Sequence, residues 1–165
     1  MKMDSKKIAI CGVFTALAFI FAYVEMLVPI PLGIPGIKLG LANCCIILIL
    51  YKFGIAEALI INLARIVLSS ILFGNATSFM FSLCAGMIST IIMILLKKIN
   101  KFSITAVSIT GGVTHNIIQI IVAIFILDSS AIIYYLPVLI ITGCVTGALI
   151  GLLGGYITFR LNRLN

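Results

Sequence analysis

The stretch that decides the fold is residues 55–73, IAEALIINLARIVLSSILF, an almost wholly apolar run with Arg65 near its middle. About 20 apolar residues in a helix are enough to cross the hydrocarbon core of a bilayer. A guanidinium at mid-depth costs at least ~2.5 kcal/mol unless it is paired or hydrated, and from there it cannot easily snorkel to the interface. The stretch therefore predicts a membrane span that carries a charged, functional side chain.

The composition extends this interpretation to the whole chain. Of 165 residues, 63% are hydrophobic and only 9% are charged, whereas a soluble domain needs far more polar surface. We expect an all-α membrane protein formed by a single integral domain, residues 1–165. The first apolar run is longer than a signal-peptide core, so it is predicted to be retained. The cysteines lack metal-ligand spacing, so we expect neither a metal site nor disulfides.

Proline, glycine and charged residues divide the apolar sequence into six predicted transmembrane helices. Pro137 is expected either to kink the last helix or to separate a first turn from it. The second helix has thirteen residues, about 20 Å, against a hydrocarbon core of about 30 Å. We therefore expect residues 29–40 to dip in from the outer face and to roof a recess that opens outward. The predicted bounds are 8–28, 41–53, 55–73, 77–96, 102–127 and 131–159.

Basic residues set the predicted orientation. If the N-terminus is inside, Lys38 lies alone on the outer side and nine basic residues lie on the inner side, which predicts that both termini are cytoplasmic in a bacterial cytoplasmic membrane. The net charge of +7 then anchors the chain to lipid head groups and does not indicate a nucleic-acid partner. The nine are Lys2, Lys6, Lys7, Lys52, Lys97, Lys98, Lys101, Arg160 and Arg163.

Polar residues form stripes on several of the predicted helices. Asn62, Arg65 and Ser69 follow helical spacing on the third helix, and a similar stripe runs along the fifth. The first helix carries the carboxylate of Glu25 near its outer end. Asn43, at the start of the second helix, follows the loop that contains Lys38. The simplest assembly points these groups at one water-filled pocket. The predicted substrate-binding residues are Glu25, Lys38, Asn43, Asn62, Arg65, His115, Asn116 and Gln119.

The same residues have structural interpretations that stay open at this point. Asn62 and Asn116 are equally well explained as hydrogen-bonding links between helices. A single His115 is more often a satisfied buried imidazole than a ligand contact. Glu25 and Lys38 suit a surface ion pair worth less than ~1 kcal/mol.

Small residues form two further patterns. Gly143, Gly147, Gly151 and Gly155 recur every four residues in the last helix, where they allow another backbone to approach closely. Internal packing is the favoured explanation there, and a docking surface is the alternative. On the first helix a docking surface for a partner subunit is more plausible, with the small residues Gly12, Ala16, Ala18 and Ala22.

The chain lacks the usual catalytic motifs. Its four acidic residues are Asp4, Glu25, Glu57 and Asp128, and none forms a carboxylate pair or an Asp-rich magnesium–diphosphate motif. No P-loop, nucleophile elbow or zinc-protease motif is present. We expect no enzyme, no cofactor and no ATP hydrolysis by this chain. Glu57 suits the N-terminus of its helix and is predicted to be structural.

Several motifs carry a resemblance to known families. The loop PIPLGIPGIKLGLAN, residues 29–43, before a short second helix resembles the substrate-binding S components of energy-coupling factor (ECF) transporters. Four motifs together resemble the Gx transporter family, also called heptaprenyl diphosphate synthase component I. They are PGIKLGLAN (35–43), ARIVLSSILFG (64–74), GGVTHNIIQ (111–119) and YYLPVLIITGCVTGALIGLL (134–153).

The resemblance to S components implies an S-component-like bundle that binds a small vitamin-like or anionic substrate for uptake. It also implies a transmembrane coupling subunit and cytoplasmic ATPases as partners, docked on small residues that map to Ala18 and Ala22. Many S components have an acidic KLD where this chain has Lys38, Leu39 and Gly40, which leaves the substrate open. The synthase name implies an alternative, an accessory membrane subunit of polyprenyl diphosphate or quinone biosynthesis. A stand-alone ion-coupled carrier is disfavoured because membrane acids are few.

Overall fold

The structure is a computed structural model that describes residues 5–27, 41–74 and 76–163. Over these ranges the chain is helical and contains no strand, which confirms the all-α prediction. Six α-helices are present there, and their assignment as six membrane spans stays a prediction. A 3-10 helix, Ser130–Tyr135, precedes the last one. The predicted dip of residues 29–40 lies outside the described ranges. The helices are α1 (Ser5–Leu27), α2 (Leu41–Lys52), α3 (Ile55–Phe73), α4 (Ala76–Ile99), α5 (Ile104–Leu127) and α6 (Leu136–Arg163).

Pro137 acts at the start of α6. The 3-10 helix ends at Tyr135, and α6 begins at Leu136, so the proline lies in the first turn of the helix. A proline is tolerated there because the backbone N–H it lacks would have no intrahelical acceptor. The sequence predicted either a kink or a separate first turn at Pro137. The structure shows the second, because a short 3-10 helix precedes α6.

A tight turn makes α2 and α3 antiparallel. The backbone N–H groups of Phe53 and Gly54 both donate to the carbonyl of Ile49, and Gly54 has a φ of 132°. Side chains rarely allow this conformation, so glycine is required here. Glu57 follows in the first turn of α3, where its carboxylate suits the positive end of the helix dipole, as predicted.

The bundle is apolar outside and partly polar inside. Three helices, α3, α4 and α5, and the segment Ser130–Arg160 are long and apolar enough to cross a membrane, and α1 contains a shorter apolar segment, Cys11–Val24. Large hydrophobic side chains face outward over much of the surface, with Phe125 82% exposed. Contiguous apolar surface of this extent is typical of a membrane-facing protein.

The short helix α2 forms the centre of the bundle. It packs against α1, α3, α5 and α6, and its residues 45–50 are all at most 7% exposed. A helix buried on every side belongs to a protein core. The second helix is therefore enclosed by the other helices.

Basic residues gather at one end of the bundle, which we call the basic end. The Nζ atom of Lys97 donates to the carbonyl of Leu50 and lies 5.1 Å from the ring centroid of Tyr51. This contact joins the last turns of α4 and α2, and it gives a C-terminal carbonyl of α2 a cationic donor. The assignment of this end to the cytoplasm stays a prediction.

Glycines form the seam between α5 and α6. A Cβ atom built on Gly151 would stand 2.6 Å from the Cα of Thr105, and one built on Gly112 would stand 2.8 Å from the carbonyl oxygen of Gly143. These pairings run in opposite directions along the two helices, so α5 and α6 are antiparallel and closely packed. Internal packing is thereby confirmed for this part of the glycine ladder. Gly155, the last of the series, has open space around it.

Two substitutions in α6 test the close packing between α5 and α6. We expect Gly151→Ala to lower the free energy of unfolding by about 1–3 kcal/mol, because a methyl group there overlaps backbone that cannot move easily. Gly155→Ala is the matched control and should leave stability equal or raise it by up to about 1 kcal/mol, because alanine favours a helix. Thermal unfolding of the detergent-purified variants measures both. Equal unfolding temperatures for the two variants would contradict the close packing of α5 against α6 at Gly151.

Candidate functional site

The buried polar centre of α3 is a hydrogen-bonded pair. Asn62 is 0% exposed and Arg65 is 5% exposed. The Nη2 atom of Arg65 donates to Oδ1 of Asn62 over 2.6 Å, as the spacing of three residues on one helical face allows. The guanidinium is thus held against its own helix.

Helix α4 fixes the orientation of this asparagine. The Nδ2 atom of Asn62 donates to the carbonyl of Gly86 over 3.0 Å and to Oγ1 of Thr90 over 2.9 Å. An amide nitrogen carries two hydrogens, so both are used on α4, and the amide oxygen is left to face Arg65. We call the hydrogen-bonded series Thr90–Asn62–Arg65 the amide link.

Gly86 allows this approach of α3 to α4. A Cβ atom at this position would stand 2.8 Å from Cδ1 of Ile66 and 3.6 Å from Nδ2 of Asn62. The polar contribution of α4 was missed from the sequence. Its signal was present as the spacing of Ser82, Gly86 and Thr90, three small or polar residues on one helical face.

The stripe on α5 is also buried. His115, Asn116 and Gln119 are each less than a tenth exposed. The Nδ2 atom of Asn116 donates to the carbonyl of Leu139 on α6 over 2.7 Å. Asn116 is therefore an interhelical link, which was one of its two interpretations. Its contact with a substrate stays a prediction, as do those of His115 and Gln119.

Three polar residues lie at similar distances along their helices from the basic end. Asn43, half-buried, is nine residues before the end of α2, Arg65 is ten after the start of α3, and His115 is eleven after the start of α5. At 1.5 Å per residue these positions are about 14–17 Å from the basic end. Since α2 packs against both α3 and α5, we call this level of the bundle the mid-depth layer.

Two of the predicted substrate-binding residues are not placed. Glu25 belongs to the last turn of α1, but its side chain lies outside the described part of the structure. Lys38 lies wholly outside the described ranges. The predicted pair at the outer face therefore stays a prediction.

The four predicted docking residues of α1 fall on two faces. Gly12 and Ala16 are exposed, and a Cβ atom built on Gly12 would meet nothing within 4 Å. Ala18 and Ala22 are buried within the bundle, because their small side chains let α1 pack against its neighbours. In this arrangement a partner helix would meet Gly12 and Ala16. Docking itself stays a prediction.

The amide link predicts unequal effects at Thr90. We expect Thr90→Val to lower the free energy of unfolding by about 1 kcal/mol, because one buried N–H of Asn62 loses its acceptor while the shape is kept. Thr90→Ser keeps the hydroxyl and is the matched control. Chemical unfolding of both variants in detergent measures the difference. Loss of stability in the serine variant alone would contradict the assigned contact.

Comparison with protein-family models assigns the chain to a family. The family model of heptaprenyl diphosphate synthase component I matches residues 14–157, a range that includes the whole amide link and the α5 stripe. Searches of curated proteins and of solved structures found no match. The chain therefore belongs to the heptaprenyl diphosphate synthase component I family.

Proposed function

We propose that this chain is a membrane-embedded, S-component-like subunit that binds a small vitamin-like or anionic molecule for uptake. The observation that supports this most is the guanidinium of Arg65, buried at mid-depth and joined to α4 through the amide link. An ionisable residue inside a membrane span is costly and generally marks a substrate or ion pathway.

The amide link has the geometry expected of a prepared binding group. Asn62 uses both amide hydrogens on α4 and its oxygen on Arg65. Donors that are already oriented bind a ligand without losing side-chain freedom at that moment.

The source of energy in this proposal is a partner. The sequence contains no nucleotide-binding motif and only four acidic residues, so we assign the chain neither ATP hydrolysis nor any other enzymatic activity. A transmembrane coupling subunit and cytoplasmic ATPases, the partners that the resemblance to S components implies, would supply the driving force. The substrate would enter from the outer face, and residues 29–40 would close over it before the subunit reorients.

The proposed orientation places the basic end in the cytoplasm of a bacterial membrane. Four lysines lie at or beside the helix ends that meet there, namely Lys52, Lys97, Lys98 and Lys101. Basic residues near the ends of spans favour the cytoplasmic side. Both termini would then be cytoplasmic, and the chain would cross the bilayer six times.

A second candidate function is an accessory membrane subunit of polyprenyl diphosphate or quinone biosynthesis. The description of the family favours it. Prenyl transfer needs metal ions that bridge the diphosphate, and carboxylates are the usual ligands of those ions. The chain has few of them, so in this role it would assist a separate catalytic subunit.

Partner capture separates the two functions. Affinity purification of the full-length chain from mild detergent should enrich a membrane coupling subunit together with ATPase subunits, identified by mass spectrometry. A membrane protein of similar size that carries the same tag is the control. Enrichment of a soluble prenyltransferase without ATPases would instead support the accessory role.

Arg65→Ala tests the site. We expect the variant to insert and fold but to lose the small molecule that native mass spectrometry detects on the purified wild-type chain, because the buried charge that holds it is gone. Arg160→Ala removes an exposed arginine and is the matched control, in which the molecule should be retained. Equal occupancy in both variants would rule out a ligand contact by Arg65.

A further inference from the structure

Three lysines lie where α4 turns into α5, and the structure sets one of them apart from the other two. Lys97 is half-buried, and its Nζ atom donates to the carbonyl of Leu50 and lies over the ring of Tyr51. Lys98 and Lys101 are exposed. Lys97 therefore joins two helices, whereas the other two lysines lie on the surface of the basic end.

A tight backbone turn keeps the two exposed lysines close together. Only residues 100–103 separate α4 from α5. Asn100 has a φ of 56°, a left-handed conformation that asparagine tolerates better than most residues. Three residues of chain span at most about 11 Å, so Lys98 and Lys101 belong to one small patch. We call residues 98–102 the lysine turn.

Exposed apolar side chains alternate with these lysines. Ile99 is 52% exposed and Phe102 is 48% exposed, and Leu95, one turn earlier in α4, is 53% exposed. The lysine turn therefore places cationic groups directly beside the apolar outer surface of α4. A lysine can also lay its own methylene stem along such a surface while its ammonium stays on the polar side.

The described carboxylates do not offset the charge of the lysine turn. Glu57, in the first turn of α3, lies at the same end of the bundle but is only 8% exposed. Asp128 is the C-cap of α5 and lies at the opposite end of that helix. Over the described part of the chain, the exposed surface of the lysine turn is therefore positively charged.

We propose that the lysine turn binds the head group of an anionic phospholipid while Ile99 and Phe102 contact its acyl chains. The inference goes beyond the proposed function and does not depend on it. Attraction to anionic lipid amounts to about fivefold in affinity for each basic residue near the surface. An acidic protein surface would match the lysines, but it would leave the apolar side chains between them without an apolar partner.

Two lipids that differ only in their head groups test the inference on the full-length chain purified in detergent. Native mass spectrometry with added dioleoylphosphatidylglycerol or dioleoylphosphatidylcholine measures the affinity for each lipid. We expect the anionic lipid to bind about tenfold more tightly or better, because only its head group carries a net negative charge. Glycerol 1-phosphate at the same concentration should not displace it, because this soluble phosphate ester lacks the acyl chains.

Variants with equal net charge assign the preference to the lysine turn. Lys98→Gln and Lys101→Gln should each lower the preference for the anionic lipid about fivefold, and Lys98→Arg should keep it. Lys97→Gln is the matched control, because it removes the same charge one residue away. It should lower the unfolding temperature, since the carbonyl of Leu50 loses its donor, and change the lipid preference by less than about twofold.

A second control covers the case in which Lys97→Gln does not fold. Arg160→Ala also removes one positive charge, but Arg160 lies outside the lysine turn, and its Nε atom donates to the hydroxyl of Tyr156 over 3.0 Å. This variant should likewise change the lipid preference by less than about twofold. Circular dichroism checks that each variant is folded before its lipid affinity is compared.

The remaining outcomes would overturn the inference. They are equal affinity for the two lipids, or an equal loss of preference in the Lys98 variant and the control. Displacement of the lipid by glycerol 1-phosphate would indicate a site for a soluble phosphate ester. Tighter binding of a polyglutamate peptide than of the anionic lipid would indicate an acidic protein partner. None of these results concerns the small molecule tested with Arg65→Ala, so failure here and failure of the proposed function are distinguishable.

Discussion

The hydrogen bonds of Asn62 are the interaction on which the centre of this protein depends. One amide satisfies two acceptors on α4 and one donor of Arg65, so it joins α3 to α4 and positions a charge in the same place. Asn62 is fully buried, so water is not available to replace such bonds, and an amide without partners would be costly there. The contact between α3 and α4 and the orientation of Arg65 therefore have a common origin in Asn62.

The short helix α2 explains why polar groups can lie in the mid-depth layer. Its residues 45–50 are enclosed by other helices, and most of them belong to an apolar core close to the basic end. Lys97 closes that end by donating to the carbonyl of Leu50. Since α2 begins at Leu41 and is only twelve residues long, it fills less than the full thickness of a bilayer. Asn43, one of the predicted substrate-binding residues, belongs to the first turn of α2.

Small residues have two roles in this bundle, and their patterns look alike in the sequence. Between α5 and α6 the glycines remove side chains so that two backbones meet. On α1 the related pattern divides, with Ala18 enclosed by the chain and Gly12 facing outward. Spacing alone does not separate the two cases, because a helix repeats its faces every few residues whether the neighbour is its own chain or a partner.

The sequence by itself determined the helices, their order and the position of Arg65 near the middle of α3, because apolar runs, glycine and proline act over short distances along the chain. It also placed Asn62 and Arg65 on one face, which only needs helical spacing. The tertiary structure decided that α2 is enclosed by the other helices, that Asn62 bonds to Thr90, that Asn116 bonds to α6, and that Ala18 is enclosed. Each of these depends on which helices become neighbours and in which register. That choice is made by packing between segments far apart in the chain, and no single stretch of the sequence carries it.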